Sequence, residues 1–258
     1  MENLASVVRK CAKSVVIAGV PVDTCGSEDY IEIVSDAIRR GEKLVVFYSN
    51  ARVVTHVNYH QETAAKLYAQ VADYVMCDGF SLEMCARIKS LPVPQKTAYN
   101  VWFWDFSREC ASRGHRIFLL GGTTETVSRA AENLVRHAPG LQVDYHHGYF
   151  NKRINDQENC EVLEAINTSQ SHILLVGFGV PAQENWVAEN RDKLNVNAVF
   201  TCGDAFRYFA GENKVAPKWM RVYGLEWLYR LVKEPVRLLP RYIVEIPAFL
   251  FFGFFKKF

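Results

Sequence analysis

The chain has 258 residues, of which 49% are hydrophobic and 22% are charged, so it can bury a full core and is not a disordered chain. Its formal net charge of +2 hides an asymmetry, because nine Lys/Arg and three Glu give residues 214–258 a charge of +6 and leave −4 for residues 1–213. Seven scattered cysteines without a CxxC pair predict reduced thiols in a cytosolic protein and give no support for a zinc site. No long apolar run with a cleavage site opens the chain, so no signal peptide is expected.

Apolar, β-branched runs recur along the chain, and each of them precedes a helical pattern. The runs cover residues 14–23, 43–49, 74–76, 116–120, 141–145, 172–179 and 198–202. Helical patterns follow at residues 27–40, 62–72, 80–88, 101–113, 125–136 and 158–166, and one more opens at Trp186. This alternation predicts a Rossmann-like α/β fold, with a mostly parallel sheet, right-handed crossovers and helices on both faces.

Ligands of such sheets bind outside the carboxyl ends of the strands. We therefore expect one crevice to collect the polar residues and glycines that follow the predicted strands. These are Asn50, Asp78, Gly79, Gly121, Gly122, Pro181, Gln183, Glu184, Gly203 and Asp204.

Asp78 is the candidate catalytic residue. It follows a short apolar strand, precedes a helix and stands beside Gly79, which lets a ligand approach closely, so its carboxylate is well placed to act as a general base. The alternative is a plain Asp-Gly turn, which is the commonest use of this dipeptide.

Two other strand ends also carry alternatives. Gly121 and Gly122 stand between a strand and a helix start, which fits either a phosphate cradle or an ordinary turn. Gln183 is the better ligand candidate at the late strand, whereas Glu184 is either a second base or a carboxylate favoured by the start of its helix. The pairs His56/His60 and His146/His147 lack a third metal ligand and are interpreted as surface or packing residues.

The carboxyl-terminal part is predicted to be a separate, basic and aromatic appendage, residues 211–258, on an α/β domain formed by residues 1–210. Arg230, Lys233, Arg237 and Arg241 recur at helical spacing, although Pro235 and Pro240 should bend or interrupt the helix. The apolar run 246–255 is too short to span a bilayer but suits a segment in the headgroup region. Docking on the core or in a homo-oligomer interface is the alternative. Nucleic acid fits poorly, because the basic residues are few and lack a stacking platform.

Eight stretches carry a family resemblance over nearly the whole chain. They are residues 19–23 (GVPVD), 49–51 (SNA), 72–73 with 78–79 (AD and DG), 118–122 (FLLGG), 148–150 (GYF), 177–184 (GFGVPAQE), 216–219 (APKW) and 224–230 (GLEWLYR) with 234–235 (EP). In this order they resemble the WecG/TagA/CpsF family of bacterial glycosyltransferases.

The resemblance implies an inverting transfer of a sugar from a UDP-sugar to a polyprenyl-diphosphate-linked saccharide, by a peripheral protein on the cytoplasmic membrane face. It implies that Asp78 is the base and that Asn50 and Gln183 line the pocket. Positive charge must also stabilise the diphosphates. The candidates for contact with diphosphate, acceptor and membrane are Lys214, Arg221, Arg230, Arg237 and Arg241. No DxD motif is present, so we expect neither a metal nor another cofactor.

The chain departs from the family pattern at several positions. Lys96, Tyr99 and Val101 stand where the family commonly has Arg, Gly and Asp. Similarly, Arg207 replaces a usual Asp and Val215 a usual Arg. These changes leave the sugar open, with a neutral or an acidic hexose as an option.

Two other functions remain as alternatives. A non-catalytic nucleotide-sugar-binding subunit of a membrane polysaccharide complex would share the fold and the appendage. A dinucleotide oxidoreductase is a poorer fit, since no GxGxxG follows the first strand.

Overall fold

The computed structural model describes residues 14–255, the side chains of residues 61–65 excepted. Its strands are β1 (Ser14–Ile17), β2 (Val20–Asp23), β3 (Leu44–Ser49), β4 (Tyr74–Cys77), β5 (Ile117–Gly121), β6 (Val143–His146), β7 (Ile173–Gly177) and β8 (Ala198–Thr201). Strands β3 to β8 form one sheet in the order β4-β3-β8-β7-β5-β6, and every neighbouring pair in it is parallel.

The helices of the described residues pack in layers around this sheet. They are α1 (Ser27–Arg40), α2 (Ala51–Tyr59), α3 (Gln61–Gln70), α4 (Phe80–Ile88), α5 (Tyr99–Ser112), α6 (Thr124–His137), α7 (Gln157–Thr168), α8 (Ala182–Asn190), α9 (Ala205–Phe209), α10 (Lys218–Val222), α11 (Glu226–Lys233) and α12 (Pro235–Leu250). Helices α1, α5, α6 and α9 contact one another in one layer, whereas α2, α3 and α8 form a second, which α7 joins through a hydrogen bond from Trp186 to Asn159.

The central strands are apolar because both faces of the sheet are covered. All six residues of β3 are buried, as are all four of β4 and of β8. The register aligns the carboxyl ends, with Ser49 beside Cys77 and Gly121 beside Gly177. The predicted Rossmann-like α/β fold is therefore confirmed, and the residues that follow these strands meet at one edge.

The structure corrects three expectations about the amino-terminal half. Residues 14–23 are not one strand of the main sheet but the antiparallel hairpin β1–β2, which packs beside β4. The helix α2 was not expected. It begins directly after Asn50, whose side-chain oxygen accepts hydrogen bonds from the backbone nitrogens of Arg52 and Val53. Cys25 is disulfide-bonded, whereas the other five described cysteines are free as expected.

The appendage ends in a helix that the prolines do not interrupt. Pro235 occupies the first turn of α12 and Pro240 lies inside it, and a π-helical segment, Phe251–Phe255, continues it. The combined helix has 21 residues, and its most apolar 18-residue window has a mean hydropathy of 1.5, which is enough by length and composition to cross a membrane; 22% of that window is buried against the protein. The apolar run 246–255 is thus the end of a longer helix than expected.

One face of this helix docks on the core. Leu238 and Phe249 are buried, and Glu245 accepts a hydrogen bond from Arg52 of α2 at 2.7 Å. The Cys85 thiol of α4 donates to the backbone oxygen of Gly253 at 3.1 Å. Docking on the core, which was the alternative to membrane contact, therefore describes one side of the helix.

Candidate active site

A cavity of about 1490 Å³ opens at the carboxyl edge of the sheet, which exceeds the roughly 300–1,000 Å³ of an ordinary ligand pocket. Its wall is built by the segments that follow β3 to β8, by the start of α5 and by the appendage. The predicted site residues on this wall are Asn50, Asp78, Gly79, Gly122, Gly203, Asp204, Arg230, Arg237 and Arg241.

Asp78 lies on the wall directly after β4, and its backbone nitrogen donates to the Ser49 oxygen at 2.8 Å. Burial, followed by the Glu226 carboxylate, raises the pKa of Asp78 to about 6. Lys96 and Arg230 act in the opposite direction. A carboxylate with a pKa near neutrality is a suitable general base, because it is ionised at pH 7 and still holds a proton well.

Asn50 fixes the orientation of this base. Its side-chain oxygen is occupied by the start of α2, so its amide nitrogen is the atom left to donate to the Asp78 carboxylate. Gly79 follows with φ of 156° and ψ of 138°, a conformation that glycine adopts without strain. The Asp78–Gly79 turn is therefore a loop that presents a carboxylate to the cavity.

The guanidinium groups of the appendage converge on one carboxylate. Arg230 and Arg237 each approach Asp204 Oδ2 to 3.4 Å, and Arg207 approaches it to 3.7 Å. Glu234 binds Arg237 at 2.6 Å and Arg207 at 3.2 Å. Asp204 is thus the counter-ion of these arginines, whose guanidinium groups are also suited to bind an anionic substrate.

An ion pair between Lys96 and Glu226 joins α11 to the segment before α5. Both side chains line the cavity, and both influence the pKa of Asp78. From the sequence, Lys96 stands out only as a departure from the family pattern. Glu226 was missed, although it lies in the stretch 224–230 that carries the resemblance.

Gln183 and Glu184 are buried behind the wall rather than exposed on it. Gln183 Oε1 accepts hydrogen bonds from the backbone nitrogens of Gly179 at 3.2 Å and Gly203 at 3.0 Å, while its Nε2 donates to Glu184 at 2.8 Å. Gln183 therefore ties together the loops that follow β7 and β8. The structure does not bring it, Glu184 or the neighbouring Pro181 into direct reach of a ligand.

Three further predicted residues also lie off the wall. A Cβ atom on Gly121 would stand 2.5 Å from the Gly177 oxygen, so Gly121 permits close packing of β5 on β7, and the adjacent Gly122 lines the cavity instead. Lys214 is exposed and Arg221 half-buried, and neither reaches the wall.

Several wall residues were not singled out from the sequence as site residues, because their neighbours come from distant segments. They include Tyr48, Arg52, Tyr99, Asn100, Lys152, Tyr208 and Glu245. The Lys152 ammonium lies 4.5 Å from the ring centres of both Phe150 and Phe178, and burial lowers its pKa.

One end of the cavity is apolar. The side chains of Phe80 and Met84 on α4 face this end together with Ile246, Phe249 and Leu250 on α12. The same cavity wall carries Arg230, Arg237 and Arg241. Such an arrangement suits a ligand with a charged head and an apolar tail.

Within residues 14–255, no group of three His, Cys, Asp or Glu side chains could hold a metal ion. The rings of His56 and His60 and those of His146 and His147 are each within 5 Å, at 4.7 and 4.3 Å, and both pairs lack a third ligand among these residues. Metal independence remains a prediction.

A parallel α/β sheet with a carboxyl group of raised pKa and several arginines on one cavity wall suits an enzyme that acts on phosphate-bearing substrates. The profile of the glycosyl transferase WecG/TagA/CpsF family matches residues 15–258. The chain belongs to this family and is a glycosyltransferase.

Relatives with an assigned activity come from Staphylococcus aureus. The protein of strain MW2 is 27% identical over 242 residues, which cover 91% of this chain and 90% of the relative. The proteins of strains NCTC 8325 and MRSA252 are 27% and 26% identical over the same length. All three are named N-acetylglucosaminyldiphosphoundecaprenol N-acetyl-β-D-mannosaminyltransferase, so the alternative of a non-catalytic subunit is not favoured.

Proposed function

We propose that this glycosyltransferase moves a sugar, with inversion, from a UDP-sugar to a polyprenyl-diphosphate-linked saccharide in the synthesis of a cell-surface polysaccharide. The observation that carries the proposal is one cavity in which Asp78, with its raised pKa, stands beside Arg230 and Arg237. The relatives named for transfer to a diphosphoundecaprenol-linked sugar support the same substrate class.

The reaction follows from these groups. Asp78 accepts the proton of the acceptor hydroxyl as the oxygen attacks the anomeric carbon from the face opposite the UDP group. The bond from that carbon to the diphosphate oxygen breaks, and its electron pair leaves with UDP. One displacement of this kind inverts the anomeric configuration. The proton stays on Asp78 until product leaves.

Positive side chains supply the charge that two diphosphates require. Lys96, Arg230, Arg237 and Arg241 all line the cavity, and guanidinium groups bind phosphate oxygens in pairs. Gly122 and Thr123, which precede α6, also line the cavity, so the start of this helix could add backbone N–H groups. The protein can therefore stabilise a departing diphosphate with its own residues.

The apolar end of the cavity supports a lipid-linked acceptor. Phe80, Met84 and Leu250 line the same cavity as Arg237 and Arg241, so a diphosphate held by these arginines could place its first isoprene units against apolar side chains. Burial of apolar surface contributes about 25 cal/mol per Å².

We place the enzyme peripherally at the cytoplasmic face of the membrane. The outer face of α12 carries an exposed apolar stripe, formed at steps of three or four residues by Val236, Leu239 and Ile243. The opposite face contacts α2 and contributes Arg241 and Glu245 to the cavity. A helix fixed to the core on one side suits an in-plane position rather than a spanning one.

The test is transfer from a panel of UDP-sugars to a short-chain prenyl-diphosphate-saccharide by the parent and by Asp78→Asn. We expect Asp78→Asn to lose 10²- to 10⁴-fold in rate and to bind UDP like the parent. The kcat/KM of the parent should rise with pH through about 6, as Asp78 loses its proton.

Retention of more than about a tenth of the rate by Asp78→Asn would remove the base assignment. UDP binding without transfer by the parent, over the whole donor and acceptor panel, would instead contradict the proposed reaction and favour the non-catalytic subunit.

A further inference from the structure

Lys152 differs from the other cations of the cavity wall, because no carboxylate of the described residues forms an ion pair with it. Six further cations line the cavity, and each of them is paired with a carboxylate. They are Arg52, Lys96, Arg207, Arg230, Arg237 and Arg241. Lys152 is half-buried on the same wall. Its positive charge is therefore left without a counter-ion in the described part of the chain.

The Lys152 ammonium is held at the wall by its own loop. Its Nζ atom donates to the backbone oxygen of Gly148 and to that of Phe150, the latter at 3.3 Å. It also lies 4.5 Å from the ring centres of Phe150 and Phe178. All three neighbours line the cavity. An ammonium has three N–H donors, so the two carbonyl oxygens leave one donor for a ligand.

Partial burial makes the charge of Lys152 costly. Loss of hydration lowers the pKa of its ammonium, and no neighbouring carboxylate acts against this effect. The two aromatic faces and two carbonyl oxygens offset only part of the lost hydration. An anionic ligand at this position would supply the missing counter-charge.

The strand order separates Lys152 from the apolar end of the cavity. Gly148 follows β6 and Phe178 follows β7, whereas Asp78 follows β4 at the other end of the sheet. Three strand spacings, roughly 14 Å, separate β4 from β7. The apolar end is formed by α4, which follows β4, and by α12, which packs on α2 after β3. A lipid-linked acceptor and Asp78 thus share one half of the cavity, and Lys152 belongs to the other.

We propose that Lys152 binds the phosphate of the UDP-sugar that is attached to uridine. The inference rests on the proposed sugar transfer and assigns part of the donor to a residue. The bond that breaks must lie near Asp78, so the diphosphate and uridine extend away from it, toward the loops after β7 and β6. Gly122 lines this half as well, and its oxygen accepts a hydrogen bond from the Gly148 nitrogen at 2.8 Å. The ammonium meets the phosphate as a point charge.

The experiment measures the binding of UDP, UMP and uridine by calorimetry for the parent, Lys152→Met and Lys152→Arg. Methionine keeps an unbranched apolar stem between the two rings and removes the charge, whereas arginine keeps the charge. Lys193→Met is the matched control, because Lys193 is exposed, precedes β8 at the amino-terminal edge of the sheet and does not line the cavity. Affinity for a short-chain prenyl-diphosphate-saccharide and Tm are measured for each protein.

We expect Lys152→Met to lower the affinities for UDP and UMP by the same factor, about tenfold or more, because a hydrogen bond between charged groups is lost. Affinities for uridine and for the prenyl-diphosphate-saccharide should stay at the parent values, as should Tm. Lys152→Arg should recover most of the UDP affinity. Lys193→Met should bind every ligand like the parent.

Equal UDP affinities of Lys152→Met and Lys193→Met would overturn the proposal. So would a loss of uridine affinity as large as that of UDP, which would show contact with the nucleoside or a structural role. A loss confined to the prenyl-diphosphate-saccharide would assign Lys152 to the acceptor and overturn it as well. If the parent transfers no sugar but Lys152→Met still weakens the binding of UDP and UMP, the nucleotide site stands while the proposed reaction fails.

Discussion

The carboxyl group of Glu184 is unusual because it is almost completely enclosed behind the active site. It accepts hydrogen bonds from Tyr68 at 3.2 Å and from Gln183 at 2.8 Å, while its second oxygen has no partner in the described part of the chain. Burial raises its pKa to about 7. Through Gln183, this carboxyl supports the loops at Gly179 and Gly203 that form the cavity wall.

Glu184→Gln should therefore change the stability of the protein in a pH-dependent way. Because the folded pKa is raised, the parent loses stability as pH rises from the unfolded value near 4.5 to about 7. The amide does not ionise, so the Tm of Glu184→Gln relative to the parent should increase over this interval and stay constant above it. The gain is on the order of 3 kcal/mol at most, and thermal unfolding between pH 4.5 and 8 measures it.

Glu189→Gln, at an exposed position on the same helix, is the matched control for replacing a carboxylate by an amide. A pH-independent Tm difference for Glu184→Gln would show that the pKa of Glu184 is the same in the folded and unfolded states, contrary to the role of burial.

Single residues were predictable from the sequence where their backbone position alone defines their surroundings. Asp78 follows a strand and precedes a helix, so its place at the sheet edge could be derived. Gln183 has an equivalent position, but its partners are backbone nitrogens of Gly179 and Gly203. No pattern in the sequence reveals that a neighbouring loop supplies these donors.

The helix α12 has two faces with different tasks. Its inner face packs on α2 and reaches the cavity, while its outer face presents the exposed apolar stripe. Val236 is 90% exposed and Ile243 is 64% exposed, so neither side chain packs on the core. These side chains are what the helix offers to a lipid surface.

A double variant, Val236→Asp with Ile243→Asp, should lose binding to anionic lipid vesicles while remaining folded. Both side chains are exposed, so the core is not disturbed, and each carboxylate adds a desolvation cost at the bilayer surface. Co-sedimentation with vesicles that contain anionic lipid is the measurement. Val135→Asp, an exposed apolar position on α6, is the matched control and should bind like the parent. Undiminished sedimentation of the double variant would rule out the stripe as the lipid contact.

Composition indicated that the appendage is basic and aromatic, but not how it is folded. Pro240 argued for a break, yet α12 continues through it, because packing on the core compensates for one missing backbone hydrogen bond. The sequence likewise predicts one strand where the structure has the hairpin β1–β2. The turn of this hairpin has positive φ angles at both Ala18 and Gly19, and only the glycine is a residue that indicates such a turn.

The molecule as a whole brings two parts of the chain to one cavity. The sheet edge supplies Asp78 and Asp204, and the appendage supplies Arg230 and Arg237.

The strand–helix alternation was sufficient to predict the sheet, because buried parallel strands form continuous apolar runs. The wall of the cavity was only half predictable, since docking of α11 and α12 depends on pairs such as Lys96 with Glu226 that are distant in sequence. The division into residues 1–210 and 211–258 remains a prediction.

Because side chains supply the positive charge of the cavity, we expect the enzyme to work without a metal ion. Transfer should be unaffected by prior treatment with a strong chelator, because cations of the cavity wall such as Arg230 and Arg237 take the place that a divalent ion fills in metal-dependent transferases. The rate before and after chelation, and after addition of Mg²⁺, is the measurement. A loss on chelation that Mg²⁺ restores would contradict this expectation.

The shared use of α12 has an energetic consequence for a lipid-borne acceptor. If the outer face of the helix lies on the bilayer as proposed, the part of the cavity wall formed by Arg241 and Glu245 is within one helix diameter, about 10 Å, of the hydrocarbon. Moving an isoprenoid chain from the membrane into water would cost about 0.8 kcal/mol for each CH₂ group. A cavity this close to the membrane would let the saccharide enter while most of the isoprenoid chain stays in the bilayer. The enzyme would then meet its acceptor by lateral diffusion in two dimensions.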